Sequence, residues 1–166
     1  NLPLLGDFAD CWQGICTGDY PRFGRKFWEI RQINVSGWTF QLSTVNKLSN
    51  YGGREHILKW QNGNGELKLF LVERLGEKCL SQWIRGTEAW GKMGVAISQT
   101  DKLLSTIYLG EIYDNNVAAL IPKKPEYYSP IFRYCSSPHF YQDVRKIDNS
   151  LKISNITFLK VVFDLP

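Results

Sequence analysis

Between Val95 and Ile147 the chain places three short apolar runs one after another and only then two helical stretches. This order constrains the fold more than any other feature. Val95-Ala96-Ile97-Ser98, Thr106-Ile107-Tyr108-Leu109 and Val117-Ala118-Ala119-Leu120-Ile121 are short and show little polar alternation. They predict strands that bury most of their faces. Pro122 closes the last of them. From Pro125 the apolar residues return at helical spacing, as Tyr128, Ile131, Phe132 and Cys135, and then after Ser136-Ser137-Pro138 as Phe140, Val144 and Ile147. Pro125 and Pro138 suit first-turn positions, and Ser137 is the expected cap of the second helix. Clustered strands followed by a helix pair do not make alternating βαβ units. The expected fold is α+β: a mixed, largely antiparallel β-sheet core with a few helices, including a helix pair near the C-terminus.

The first half of the chain reads less regularly. Strands are expected over Asp7 to Trp12, Phe27 to Ile30 and Trp38 to Leu42, with an extended segment over Glu55 to Trp60. Tyr51-Gly52-Gly53 and Asn62-Gly63-Asn64-Gly65 have turn chemistry. Glu66 to Leu75 carries Leu67, Phe70, Leu71 and Leu75 near helical spacing and is stopped by Gly76, which predicts a helix. Thr87 to Trp90 reads as one helical turn, and Ile156 to Phe163 as a last strand or extended segment. The 166 residues suit a single domain, 1–166. Such a chain buries roughly 70% of its unfolded surface and needs neither metal nor disulfide to fold. It opens on Asn1 without an initiator methionine, so it is expected to be a piece of a longer protein.

The stretch Gln13-Gly14-Ile15-Cys16-Thr17-Gly18-Asp19-Tyr20-Pro21-Arg22-Phe23 resembles a phosphate-binding loop at first sight. The spacing is wrong, because such a loop needs four residues between its glycines and then Lys and Ser/Thr. Three residues separate Gly14 from Gly18, and Asp19 would repel phosphate. Both glycines are expected to take positive φ in a tight loop after a strand. No Gly-x-Ser-x-Gly elbow is present. His56 and His139 stand in contexts more typical of surface or helix residues than of a general base. Cys11, Cys16, Cys79 and Cys135 are too scattered for zinc. The even cysteine count and the sequons Asn34-Val35-Ser36 and Asn155-Ile156-Thr157 hint at secretion. Reduced, buried cysteines in a cytoplasmic protein are the plainer reading. No membrane-length apolar run occurs. An enzyme contained within this chain is not expected.

Binding is the remaining class. The net charge of +4 permits a polyanionic partner without demanding one. Cations recur beside glycine in several loops: Arg22, Arg25 and Lys26 after the glycine loop, Gly53-Arg54, Arg85-Gly86, and Gly91-Lys92. Asn115 lies in Asp114-Asn115-Asn116, and Lys152 in a polar cluster with Ser154, Asn155 and Thr157. Any one of these is a solvated loop residue when taken singly. Their recurrence points to duplex DNA, since glycine admits close backbone approach and arginine offers a planar fork. Thr17 joins them as a candidate donor to a DNA backbone. Arg25, Lys26, Lys92 and Lys152 are expected on phosphates. Arg22, Arg54, Arg85 and Asn115 are the candidates for base edges. The tryptophans are assigned mainly to packing, with one a candidate to stack or wedge at the DNA. Competing readings are a protein-interaction module docking a methyltransferase or partner subunit, a glycan-binding domain and a hydrolase.

The same residues carry a family resemblance. The glycine loop, Phe27-Trp28-Glu29, Tyr51-Gly52-Gly53-Arg54-Glu55-His56, Ile84-Arg85-Gly86, Glu88-Ala89-Trp90-Gly91-Lys92, Asp114-Asn115-Asn116 with Ala118-Ala119-Leu120-Ile121-Pro122, Cys135-Ser136-Ser137-Pro138-His139-Phe140 and Asp148 to Thr157 together resemble the C-terminal target recognition domain of large adenine-specific DNA methyltransferases. Those are the type IIG restriction–modification and phage-defence methylases. The opening loop is also similar to the start of type I specificity-subunit recognition domains. The resemblance implies a prokaryotic cytoplasmic protein whose upstream methyltransferase domain, in the same chain, binds S-adenosylmethionine and modifies adenine. No Asn-Pro pair occurs here, so the Asn-Pro-Pro-Tyr motif of that domain is missing. This segment is expected to bind no cofactor and to contribute sequence reading alone.

Overall fold

The computed structural model describes residues 2–33, 36–47 and 49–165, so the first sequon, at Asn34-Val35-Ser36, lies in part outside the described residues. Strands β1 (Ala9–Gln13), β5 (Gly94–Ser98), β6 (Ser105–Tyr108) and β8 (Val117–Pro122) form an antiparallel sheet in the order β1-β8-β5-β6. Strands β2 (Gly24–Lys26), β3 (Trp38–Leu42), β4 (His56–Lys59) and β7 (Ile112–Tyr113) form a second sheet in the order β2-β4-β3-β7, antiparallel except between β3 and β7. The α-helices are α1 (Leu5–Phe8), α2 (Tyr20–Phe23), α3 (Glu66–Leu75), α4 (Tyr128–Cys135), α5 (Pro138–Ile147) and α6 (Asn155–Phe158). The fold is the expected α+β class, with its strands divided between two sheets.

The absence of polar alternation in β5 and β8 has a simple cause: both faces of the first sheet are covered. Cys11, Val95, Ile97, Ala118 and Leu120 pack on one face against Ile131, Cys135, Phe140, Val144 and Phe158 of the helices. Ala96, Ala119 and Ile121 pack on the other face with Leu42, Tyr108 and Tyr113. Small alanines at the centre let the second layer come close. A third cluster joins Ile15, Phe23, Leu58 and Ile112 to Leu67 and Leu71 of α3.

Several local expectations are corrected. Leu5–Phe8 is one helical turn, and the first strand starts at Ala9. Phe27–Glu29 is a 3-10 turn. The Glu29 carboxylate accepts the Lys26 backbone N–H at 2.6 Å, and this local closure outweighs the β preference of the aromatics. Pro125–Tyr127 is a 3-10 turn leading into α4. Ser137 occupies the cap position of α5, but its hydroxyl donates backwards to the Tyr134 carbonyl and does not cap the helix. The last segment is the turn α6, capped by Ser154, followed by a single bridge from Val162 to Leu4.

The chain crosses between the sheets twice at one place. It leaves the first sheet after Gln13 and enters the second through residues 14–19. It returns from β7 to β8 through residues 114–116. The two crossings run side by side, with an Ile15–Asp114 parallel bridge and the Ile15 N–H donating to the Tyr113 carbonyl at 2.9 Å. Gly18 has the expected positive φ, 67°. Gly14 does not, and its requirement is different: an added Cβ would overlap the carbonyl oxygens of Tyr113 and Asp114. Gly14→Ala is therefore expected to lower unfolding free energy by about 1–3 kcal/mol, the usual cost of overpacking a tight contact, as read from the urea midpoint.

Candidate nucleic-acid interface

A cleft of about 220 Å³ opens at this double crossing, lined by Ile15, Cys16, Thr17, Gly18, Tyr20, Asp114, Asn115 and Asn116. Its far wall is fixed by the Asp114 side chain. One carboxylate oxygen accepts the Ser43 hydroxyl at 2.5 Å and the other the Asn116 N–H at 2.8 Å, an arrangement that shapes the 114–116 turn. Burial pushes the Asp114 carboxyl above its ordinary range, against the pull of these bonds and of His56 and Lys152.

Lys152 reaches the same place from the C-terminal segment, which is tethered by the Thr100–Lys152 bridge. Its ammonium donates to the Asn115 carbonyl at 2.5 Å and the Asn116 side-chain oxygen at 3.2 Å. An ammonium has three donors, so the lysine keeps one N–H beyond these two bonds. Burial and then the neighbouring Arg85 push its pKa down. Arg85 itself donates from Nε to the Gly14 carbonyl at 3.1 Å, which leaves its terminal amino groups outside that bond. Gln13 donates to the Asn115 carbonyl at 2.9 Å.

The second sheet supplies a polar row beside the cleft. Strand register sets Lys26 opposite His56, and His56 opposite Gln41. The His56 Nδ1 lies 2.5 Å from the Tyr20 hydroxyl, and its Nε2 lies 2.9 Å from the Lys26 ammonium. An ammonium can only donate, so Nε2 is the acceptor and the Nδ1 proton faces Tyr20. Burial, followed by the Lys26 charge, lowers the His56 pKa and favours this neutral ring.

Thr17, Arg85, Asn115 and Lys152 thus converge, with Lys26 adjoining through His56 and Tyr20. Thr17 is largely buried, so it offers the cleft an edge and not an exposed hydroxyl. The other candidates lie apart. The Arg22 guanidinium sits over Phe23 and Phe70, 4.9 and 5.3 Å from the ring centres. An Arg25 amino group donates to the Pro21 and Gly24 carbonyls and ties off its own turn. Lys92 lies 5.7 Å from the Trp12 ring, near Ile121 and Pro122, at the opposite end of β8 from Asn115. Arg54 pairs with Glu111 at 2.7 Å, donates to the Ile107 carbonyl at 2.7 Å and stacks on Tyr51.

Sequence reasoning missed Tyr20 and His56. The pairing of His56 with Lys26 follows from strand register alone, and nothing in the local sequence signals it. Asp19, rejected as a phosphate ligand, caps α2 by accepting the Arg22 N–H. Among the described residues no three His, Cys, Asp or Glu side chains gather to hold a metal ion, and no helix is long and apolar enough to cross a membrane. All four cysteines are free, with Cys11 and Cys135 buried. The Asn155 side chain of the second sequon is held by the Cys11 carbonyl at 2.7 Å, and Thr157 is buried. No family model matches the chain, and no curated protein matches it.

Two predictions follow from these contacts. Arg54 and Glu111 are only 20% and 21% exposed, so Arg54→Met is expected to cost about 1.5–3 kcal/mol, the range for hydrogen bonds to charged groups, measured by urea unfolding. For Asp114, burial raises the carboxyl above its value in the unfolded chain. Its stabilising contribution is therefore complete below the unfolded value, about 4, and is lost as pH rises through the folded value. Asp114→Asn removes that dependence. The stability difference between wild type and variant should move in favour of the wild type as pH falls from neutrality toward about 4.

Proposed function

We propose that this chain reads duplex DNA as the target recognition domain of an adenine-specific, S-adenosylmethionine-dependent DNA methyltransferase. The observation that carries the reading is that Thr17 and Asn115 line one cleft, with Lys152 bonded to its Asn115–Asn116 wall, Arg85 to the adjoining Gly14 carbonyl and Lys26 to His56 beside it. Three cations stand near a site whose lining carboxylate is buried and hydrogen-bonded, which favours an anionic partner. The Lys152 and Lys26 ammonium groups suit phosphates, whereas the Arg85 fork and the Asn115 and Asn116 amides suit base edges. Arg54 and Arg25 are tied to the fold by backbone carbonyls and, for Arg54, by Glu111, Arg22 stacks on Phe23 and Phe70 from an exposed position, and Lys92 belongs to a different surface. In this proposal the upstream methyltransferase domain of a prokaryotic cytoplasmic protein flips and modifies the adenine, and this segment supplies no catalytic residue.

Binding to labelled duplex should weaken with salt, and Lys152→Gln and Lys26→Gln should each reduce the log–log salt slope by about 0.9. Duplex binding that is absent even at low salt, or slopes unchanged in both variants, overturns the proposal. In the full-length protein, exchanging this segment for that of a related methylase should change the methylated motif seen by methylome sequencing.

A further inference from the structure

Of the six tryptophans, Trp28 is the one with a largely exposed ring, at 62%. It is not isolated. It stands edge-on to Phe27, with ring centres 5.1 Å apart, and Phe27 leans on Phe40 at 6.1 Å. Phe27 and Phe40 are themselves 40% and 49% exposed. Three contiguous open aromatic rings are unusual on a surface that meets only water. Their support is rigid. The 3-10 turn Phe27–Glu29 is closed by the Glu29 carboxylate on the Lys26 N–H, and the Phe27 N–H donates to the Glu55 carbonyl, which extends the β2–β4 ladder.

The patch is joined to the cleft by one residue. The Lys26 ammonium lies 5.6 Å from the Trp28 ring and 2.9 Å from His56 Nε2. Arg31 follows the rings along the chain, and of the neighbouring carboxylates Glu29 is engaged with the Lys26 backbone while Glu55 stands exposed just before β4. An aromatic face with cations beside it matches a nucleobase beside its phosphates. A neutral protein surface would need no such charges. We infer that Trp28, backed by Phe27 and Phe40, enters a base step of the bound duplex and stacks on a base there, while Lys26 holds the adjoining phosphate. Aromatic and apolar side chains that unstack a step in this way kink the duplex, and the bend brings more protein into contact. This inference rests on the DNA-recognition reading above.

The test uses the full chain and two labelled duplexes of the same mixed sequence, one perfect and one carrying a single mismatch. A mismatched step is easier to unstack, so the wild type should bind the mismatched duplex several-fold more tightly. Trp28→Ala should lose about tenfold in affinity, within the usual range for base–aromatic stacking. It should also lose the mismatch preference and keep the salt slope. Trp28→Phe should retain most of both. The exposed position makes an unchanged urea midpoint the expected control. If Trp28→Ala binds both duplexes like the wild type, while Lys152→Gln still reduces the salt slope, the stacking role is overturned and the DNA reading stands. If no form of the chain binds either duplex, both are overturned. Loss of self-association or of docking to the methyltransferase domain in Trp28→Ala, with DNA binding intact, overturns the stacking role in favour of a protein contact.

Discussion

At Gly14 two stretches of backbone approach so closely that no side chain fits between them, and the candidate site depends on that approach. The first crossing between the sheets runs against the Tyr113 and Asp114 carbonyls, and the return crossing is bound to it by the Ile15–Tyr113 hydrogen bond. Everything that shapes the cleft hangs from these two segments. Arg85 donates to the Gly14 carbonyl, Gln13 and Lys152 to the Asn115 carbonyl, and Asn116 and Ser43 to the Asp114 carboxylate. A second glycine makes the frame tighter still. Gly86 has a positive φ of 77°, and a Cβ there would overlap the Tyr113 hydroxyl. That hydroxyl donates to the Gly86 carbonyl at 3.2 Å.

The second sheet explains why the polar groups gather beside this frame. One of its faces grades from apolar to polar along the strands. Leu58 and Ile112 lie in the core under α3, and His56, two residues before Leu58, carries the same face toward Tyr20 and Lys26. Because side chains two apart share a face, the pairing of Lys26 with His56 and of His56 with Gln41 places all three on one row. The row is polar where the covering helix α3 no longer reaches it. The site is therefore the margin of a core, with Gln41 and Asp114 buried and His56 and Lys152 half-buried. This is why desolvation is the first cause of the shifts at His56, Asp114 and Lys152.

The sequence announced the parts of this fold that carry an apolar pattern and concealed those too short to carry one. The strands at Val95, Thr106 and Val117 were legible as short apolar runs closed by turn residues, and the helices at Glu66, Tyr128 and Pro138 by apolar residues at helical spacing, which together gave the α+β class. The two-residue strand β7 was not, although it ties the second sheet to the first; two residues carry no period. The aromatics at Phe27 read as a strand because propensity favours one, whereas the Glu29 carboxylate on the Lys26 N–H closes a turn. At the site, Thr17, Arg85, Asn115 and Lys152 were visible as polar loop residues. Their convergence was not visible, because it depends on two crossings more than 90 residues apart in the chain. Two of the arginines carry a structural role that the sequence did not show. Beside glycine, Arg54 and Arg25 have bare carbonyls within reach, and in the fold they serve those carbonyls.

The same habit separates an organised binding site from a merely charged one. A free lysine on a loop loses side-chain entropy when it meets a phosphate, whereas Lys152 has already lost it by being held between the Asn115 carbonyl and the Asn116 side chain. Lys26 is likewise fixed by His56, and that bond requires a neutral imidazole. Protonating His56 would set two positive charges 2.9 Å apart and release the lysine. The lowered His56 pKa keeps this from happening near neutrality, so the orientation of Lys26 is secured by a ring with no formal charge. Preorganisation of this kind needs partly buried side chains that a ligand can still reach, and the margin of a core supplies them. A site built from cations that must stay charged and stay in place is therefore best supported where the two sheets meet, and least supported on the tips of loops.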